Sequence, residues 1–144
     1  MDTENLIVYV SHNITAILWF IIVLGIFYLG LRTRKQGENI KAKFVNETYS
    51  KSLILILIFA TISIFTGLYL LYLSNINIFE LTDTTIYLNL KAIFVLIAYL
   101  MNIYQFISKR NIKDIDRYLN ANIRLSPLIV LFLFLASLFT FLAT

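Results

Sequence analysis

Four apolar runs, at residues 6–31, 52–73, 86–108 and 125–143, take up most of this 144-residue chain and decide what it can fold into. A helix crossing a bilayer needs about 20 mostly apolar residues at 1.5 Å rise each, and each run is of that order. Composition agrees, with 60% hydrophobic and 14% charged residues, against roughly 45–50% and 25% in soluble domains. The expected fold is therefore an all-α integral membrane protein, a four-transmembrane-helix bundle forming one domain over residues 1–144, with no room for a separate soluble domain. Absence of cysteine rules out disulfides, thiolate metal sites and iron–sulfur clusters.

The first run is read as a mature helix and not as a cleaved signal. Its flank carries Asp2 and Glu4 in place of basic residues, it exceeds the 7–15 residues of a signal core, and no small-residue cleavage site follows. Orientation comes from charge. Of the twelve basic residues, six (Arg32, Arg34, Lys35, Lys41, Lys43, Lys51) lie between runs one and two, and five (Lys109, Arg110, Lys113, Arg117, Arg124) between runs three and four. Both connections are expected in the cytoplasm and both termini outside, the side that holds Asp2, Glu4, Glu80 and Asp83. The net charge of +4 is then a topology signal and not a nucleic-acid surface.

Two connecting segments carry helical patterning. Residues 38–49, ENIKAKFVNETY, are compatible with a short interfacial helix that turns Ile40, Phe44 and Val45 toward lipid, or with a solvated loop that helps set topology. Apolar residues at 112, 115, 118 and 119 suit an extension of the third helix beyond the membrane, and Pro127 suits the opening of the fourth.

The spans are otherwise so apolar that their few polar residues stand out. His12, the only histidine, shares a helical stripe with Thr15 and Trp19. Counting inward at 1.5 Å per residue puts His12 and Gly67 about 9–10 Å deep and Lys91 roughly 8 Å deep, with Ser137 and Thr140 in the same outer half of the fourth span. Lys91 is the only charged residue inside a span. An ionisable group at such a depth normally faces the bundle interior or a cavity, although a lysine stem also reaches back to the interface, toward Glu80 or Asp83. His12 reads equally as a cofactor ligand and as a packing residue bonded to Thr66 or Ser137. Thr66-Gly67 admits a close helix or a flat ligand. Trp19 and Tyr99 suit the flanks of a macrocycle or a buried polar contact, and Met101, the one internal thioether, suits an axial position or a packing gap.

Several of these residues match a known pattern. His12 followed by Trp19-Phe20 and then Gly25-Ile26-Phe27-Tyr28-Leu29, Thr66-Gly67-Leu68-Tyr69-Leu70-Leu71, Lys91 behind Tyr87, Tyr99, and Pro127 near the fourth span resemble the HemJ-type membrane protoporphyrinogen oxidases, which belong with the CopD-like four-helix membrane proteins. The resemblance implies b-type haem, with His12 as axial metal ligand, Trp19, Thr66, Gly67 and Tyr99 around the cofactor, and Lys91 as the catalytic charged residue pairing with a carboxylate. It also implies oxidation of protoporphyrinogen IX to protoporphyrin IX in a bacterial inner membrane, with electrons leaving to an acceptor such as a quinone. Leu100 stands where the family carries a second helix-three histidine, and Arg124-Leu125-Ser126 stands before Pro127 where the family is acidic.

A different class of function suits the same residues: a non-catalytic membrane subunit or assembly partner of a larger complex, with residues 125–143 as an apolar contact wall. Membrane lipid is the partner in every reading, a porphyrin substrate in the first, and a second copy or a larger membrane complex in the other. A transporter lacks its usual broken helices, and copper handling lacks ligands, with one histidine, two methionines and no cysteine.

Overall fold

The computed structural model describes residues 2–109 and 114–143, which are helical throughout apart from short connections. Helix α1 covers Thr3–Thr33, α2 Glu38–Lys43, α3 Ser50–Leu73, α4 Asp83–Ser108 and α5 Ile115–Ala143, and a π-helical segment, Phe44–Tyr49, joins α2 to α3 without a break. Four of these bodies are long and apolar enough to cross a membrane, with α2, the π segment and α3 counting as one.

Local chemistry sets the helix ends. Asp2 caps α1 by accepting the Glu4 N–H at 2.8 Å. A capping box opens α4, where the Thr82 hydroxyl receives the Thr85 N–H at 3.3 Å and the Thr85 hydroxyl receives the Thr82 N–H at 2.9 Å. These bonds satisfy amides that a helix start leaves without partners.

The four long helices close into a ring in which α1 packs on α3, α3 on α4, α4 on α5 and α5 back on α1. Small residues line the seams, as expected where packing and not water exclusion drives association. Gly30 brings α1 so near α5 that a Cβ there would sit 3.3 Å from Ile123 Cγ1. Ala60 and Ser63 on α3, Ala98 on α4 and Ala136 on α5 are buried, while long apolar side chains such as Ile17, Phe65, Leu96 and Phe134 point outward. On the α4–α5 seam Phe94 stacks between Phe132 and Phe139, at 5.5 and 5.6 Å between ring centres, and Tyr87 stacks on Phe139 at 6.1 Å. Both basic connections meet at one end of the bundle, where the Lys41 ammonium bonds the Asp116 carboxylate and also Glu38 at 3.3 Å. Both lie outside the apolar runs. Their hydrogen bond holds the Lys41 ammonium above, and the Asp116 carboxyl below, the ordinary range of each.

Three sequence expectations need correction. Residues 38–49 do form helix, and Ile40 is exposed, but Phe44 and Val45 are buried in the bundle and do not face lipid. The wider π turn explains this: Ser50 Oγ bonds the Val45 carbonyl five residues back at 2.9 Å, which turns Val45, Tyr49 and Ser50 inward together. The pattern at 115, 118 and 119 belongs to the start of α5 and does not extend the third helix; Ile112 lies outside the described residues. Pro127 sits inside α5 and not at its opening, because Tyr118 and Asn122 bond into the bundle and carry the helix on before the proline.

Candidate functional site

Two polar layers occupy the interior, and each grows from a handful of side chains interrupting apolar helices. In the layer nearer the chain termini, His12 crosses from α1 to α3. Its Nδ1 lies 2.8 Å from the carbonyl oxygen of Ser63 and 3.3 Å from Thr66 Oγ1. A carbonyl only accepts, so Nδ1 carries a proton, and when the ring is neutral Nε2 is a bare acceptor. The Thr66 hydroxyl is free to accept there because its own proton goes to the Ile62 carbonyl at 2.7 Å. Nε2 has no hydrogen-bond partner among the described residues.

The imidazole lies on the backbone at Gly67. A Cβ at that position would fall 2.9 Å from the His12 Cε1, so the ring occupies the space a side chain would need. The flat group that Thr66-Gly67 admits is the imidazole of this same chain. Ser137, the other partner considered for His12, is exposed on the surface of α5.

Lys91 on α4 is half-buried and within Coulombic reach of the imidazole. Among the described residues it makes no hydrogen bond and no ion pair, and neither Glu80 nor Asp83 meets it. His12, Thr66 and Gly67 thus come together in one layer.

Trp19 and Tyr99 belong to a deeper level. They meet edge to face at 6.5 Å between ring centres. The Tyr99 hydroxyl bonds Thr61 Oγ1 on α3 at 2.9 Å, and the Trp19 indole N–H donates to Asn102 Oδ1 on α4 at 2.9 Å. Trp19 is 1% exposed, so both its polar tip and its faces are taken up by protein. Met101, next to Asn102 in α4, packs against this same core.

From Asn102 a chain of neutral polar groups continues toward the basic end. Asn102 Nδ2 donates to Gln105 Oε1 at 2.9 Å, and Gln105 Nε2 donates to Ser126 Oγ on α5 at 3.4 Å. The Tyr118 hydroxyl donates to the Gln105 carbonyl at 3.0 Å, and the Tyr49 hydroxyl donates to Asn122 Oδ1 at 2.9 Å. Tyr49 and Tyr118 meet edge to face at 5.9 Å. Asn102 and Gln105 are 0% exposed. This network ties all four spans together, and the reading of the sequence missed it. The signal was present in the spacing: Asn102 and Gln105 at i, i+3 and Asn122 and Ser126 at i, i+4 each put two polar groups on one face of an apolar helix.

Among the described residues no cluster of three or more histidine, cysteine, aspartate or glutamate side chains is arranged to hold a metal ion. Two surface clefts are lined by other residues: one of about 490 Å³ by Tyr28, Arg32, Arg34 and Lys35, and one of about 410 Å³ by Ile54, Ile58, Ile62 and Phe106. No protein-family model matches this chain, and neither does any curated protein or solved structure.

Proposed function

We propose that this protein crosses a bacterial inner membrane four times, with both termini outside and both basic connections in the cytoplasm, and that its outer polar layer binds a porphyrin. In this reading His12 is an axial ligand of haem b, Lys91 receives a propionate or a substrate carboxylate, and the protein oxidises protoporphyrinogen IX to protoporphyrin IX. The observation that carries it is the bond from His12 Nδ1 to the Ser63 carbonyl. A histidine that ligates a metal usually donates its other ring N–H to a carbonyl or carboxylate, which fixes the tautomer and ring orientation. Lys91 adds a second support: a half-buried lysine whose ammonium has no anion of its own among the described residues suits a ligand that brings one.

The residues present fit one axial position. The Trp19–Asn102 bond sets the level of Met101, and Trp19 lies seven residues deeper than His12 along α1, roughly 10 Å at 1.5 Å per residue. The thioether of the same chain therefore does not share the level of His12, and His12 is the side chain that would hold the iron. When bound, haem would supply electron transfer to an acceptor. The chain's own part is to orient the imidazole through Nδ1 so that Nε2 is left without a protein partner among the described residues, and to hold one carboxylate at Lys91.

The test is an absorption spectrum of protein purified in mild detergent after expression with haem supplied. A Soret band that disappears in His12→Ala, with helical content retained, supports ligation. No Soret band favours the second reading, a non-catalytic membrane subunit. One observation speaks for that reading: among the described residues every buried side-chain nitrogen and oxygen already has a partner.

A further inference from the structure

The connection from α3 to α4 is short, ordered and apolar at its tip. Asn75 closes α3 with φ at 55°, the left-handed conformation that asparagine tolerates at a helix end. The Asn77 side chain then accepts the Phe79 N–H at 3.1 Å, and its carbonyl accepts the Glu80 N–H at 3.2 Å. From α4, Asn89 Nδ2 reaches back to the Ile78 carbonyl at 3.0 Å, and the Thr85 hydroxyl bonds the Glu80 carbonyl, which also accepts the Thr82 N–H at 3.1 Å. The amides of 79, 80 and 82 and the carbonyls of 77, 78 and 80 are thus satisfied within the protein. Between those tethers Phe79 and Leu81 project with 88% and 92% of their surface exposed.

We propose that this connection is a membrane-surface anchor, with Phe79 and Leu81 inserted at the boundary between head groups and acyl chains of the leaflet where α3 and α4 emerge. Three features select lipid as the occupant. The loop joins two helices long and apolar enough to cross a membrane, so in the four-span arrangement proposed above it lies at the membrane surface. Exposed Tyr69 and Tyr72 in the last turns of α3, and Tyr87 in the second turn of α4, mark the level where amphipathic rings settle. With the amides of Phe79, Glu80 and Thr82 already bonded within the protein, the tip brings fewer bare amides into a poorly hydrated layer. The charge pattern specifies the kind of contact. Glu80 and Asp83 are the charged residues nearest the tip and no cation accompanies them, so insertion rests on apolar contact and not on attraction to anionic head groups.

The chain has no cysteine, so one can be introduced at Phe79, Leu81, Glu80 or Phe65 and spin-labelled in otherwise intact protein. Phe65, 68% exposed within α3, is the lipid-facing reference and Glu80 the aqueous one. In vesicles of phosphatidylcholine, with and without phosphatidylglycerol, accessibility to oxygen relative to a water-soluble nickel chelate should shift at 79 and 81 away from the Glu80 value and toward that of Phe65, equally in both lipids. Nickel accessibility equal to that at Glu80 would overturn the proposal. So would shielding from both reagents, which would mark a protein contact, or a shift confined to the anionic vesicles.

Discussion

Trp19 on α1 and Asn102 on α4 share a hydrogen bond of 2.9 Å that is fully buried, and it fixes the relative depth of two helices that run in the same direction. It also opens the polar chain through Gln105 to α5. Hydrogen bonds between membrane helices contribute about 0.6 kcal/mol on average and up to about 1.7. Leaving a buried partner unsatisfied costs about 1–3 kcal/mol. Asn102→Ala should therefore destabilise the bundle by about 1–3 kcal/mol, because it strands both the Trp19 N–H and Gln105. Unfolding in mixed micelles, followed by circular dichroism, measures this. A double-mutant cycle with Trp19→Phe should show coupling of about 0.5–1.7 kcal/mol, and additive effects would mean that the bond contributes nothing.

The chain's glycines offer a matched pair. At Gly67 a Cβ would meet His12 Cε1 at 2.9 Å, whereas at Gly25 nothing lies within 4 Å. Gly67→Ala should push the imidazole away from Ser63 and cost about 1–3 kcal/mol, the usual range for overpacking. Gly25→Ala should be neutral or stabilising by up to about 1 kcal/mol, since alanine is the better helix former. Equal effects at the two positions would mean that the ring does not rest on Gly67.

Lys41 and Asp116 join the two basic connections, and their bond lowers the Asp116 carboxyl and raises the Lys41 ammonium. The signs set a pH window. A carboxyl lowered in the folded state contributes stability above its unfolded value of about 3.9 and loses it as pH falls through the folded value. An ammonium raised in the folded state contributes below about 10.4 and loses it as pH rises through the folded value. The link should thus be intact between about pH 4 and 10 and weaken outside that range. Proteolysis of residues 34–50 should accelerate in Asp116→Asn at neutral pH, and the wild-type chain should approach that rate under acid.

Much of the architecture was legible because apolar length and the π-free parts of the spans obey simple periodicity. The meeting of His12 with Thr66 and Gly67 was legible for a related reason, that counting residues from the ends of antiparallel helices predicts depth. Helix rotation was not legible. Phe44 and Val45 look lipid-facing on an α-helical wheel, and the Phe44–Tyr49 π turn shifts the phase and buries them. Asn102, Gln105 and Asn122 escaped notice because neutral amides attract less attention than a histidine or a lysine, yet they form the more connected network. Pro127 misled because a proline at the edge of an apolar run reads as a helix start, while side-chain bonds upstream carry α5 back to Ile115.

Orientation follows from the proposal that the basic end faces the cytoplasm. Reporter fusions at Gly37 and at Thr144 should report opposite sides, Gly37 inside and Thr144 outside, given the eleven basic residues in two connections. Both reporting the cytoplasm would remove the four-span arrangement in its proposed orientation.

Lys91 separates the porphyrin reading from a purely structural bundle. Its side chain is half-buried within Coulombic reach of His12, and its ammonium has no carboxylate partner among the described residues, so a positive charge stands in the outer layer with no anion beside it there. Lys91→Met removes that charge and makes the span more apolar, and it should leave membrane insertion intact and thermal stability equal or higher. If the ammonium receives a porphyrin carboxylate, the same substitution should weaken porphyrin retention roughly tenfold, about 1.4 kcal/mol, near the lower end of what a charge-assisted hydrogen bond contributes. Lys91→Arg keeps the charge and should retain most of the binding. Titration of detergent-purified protein with protoporphyrin IX, read by quenching of Trp19 fluorescence, measures all three. Stability that rises in Lys91→Met while retention stays at the wild-type value would make Lys91 an interfacial anchor whose stem lies along the bundle, and the carboxylate would have to be held elsewhere.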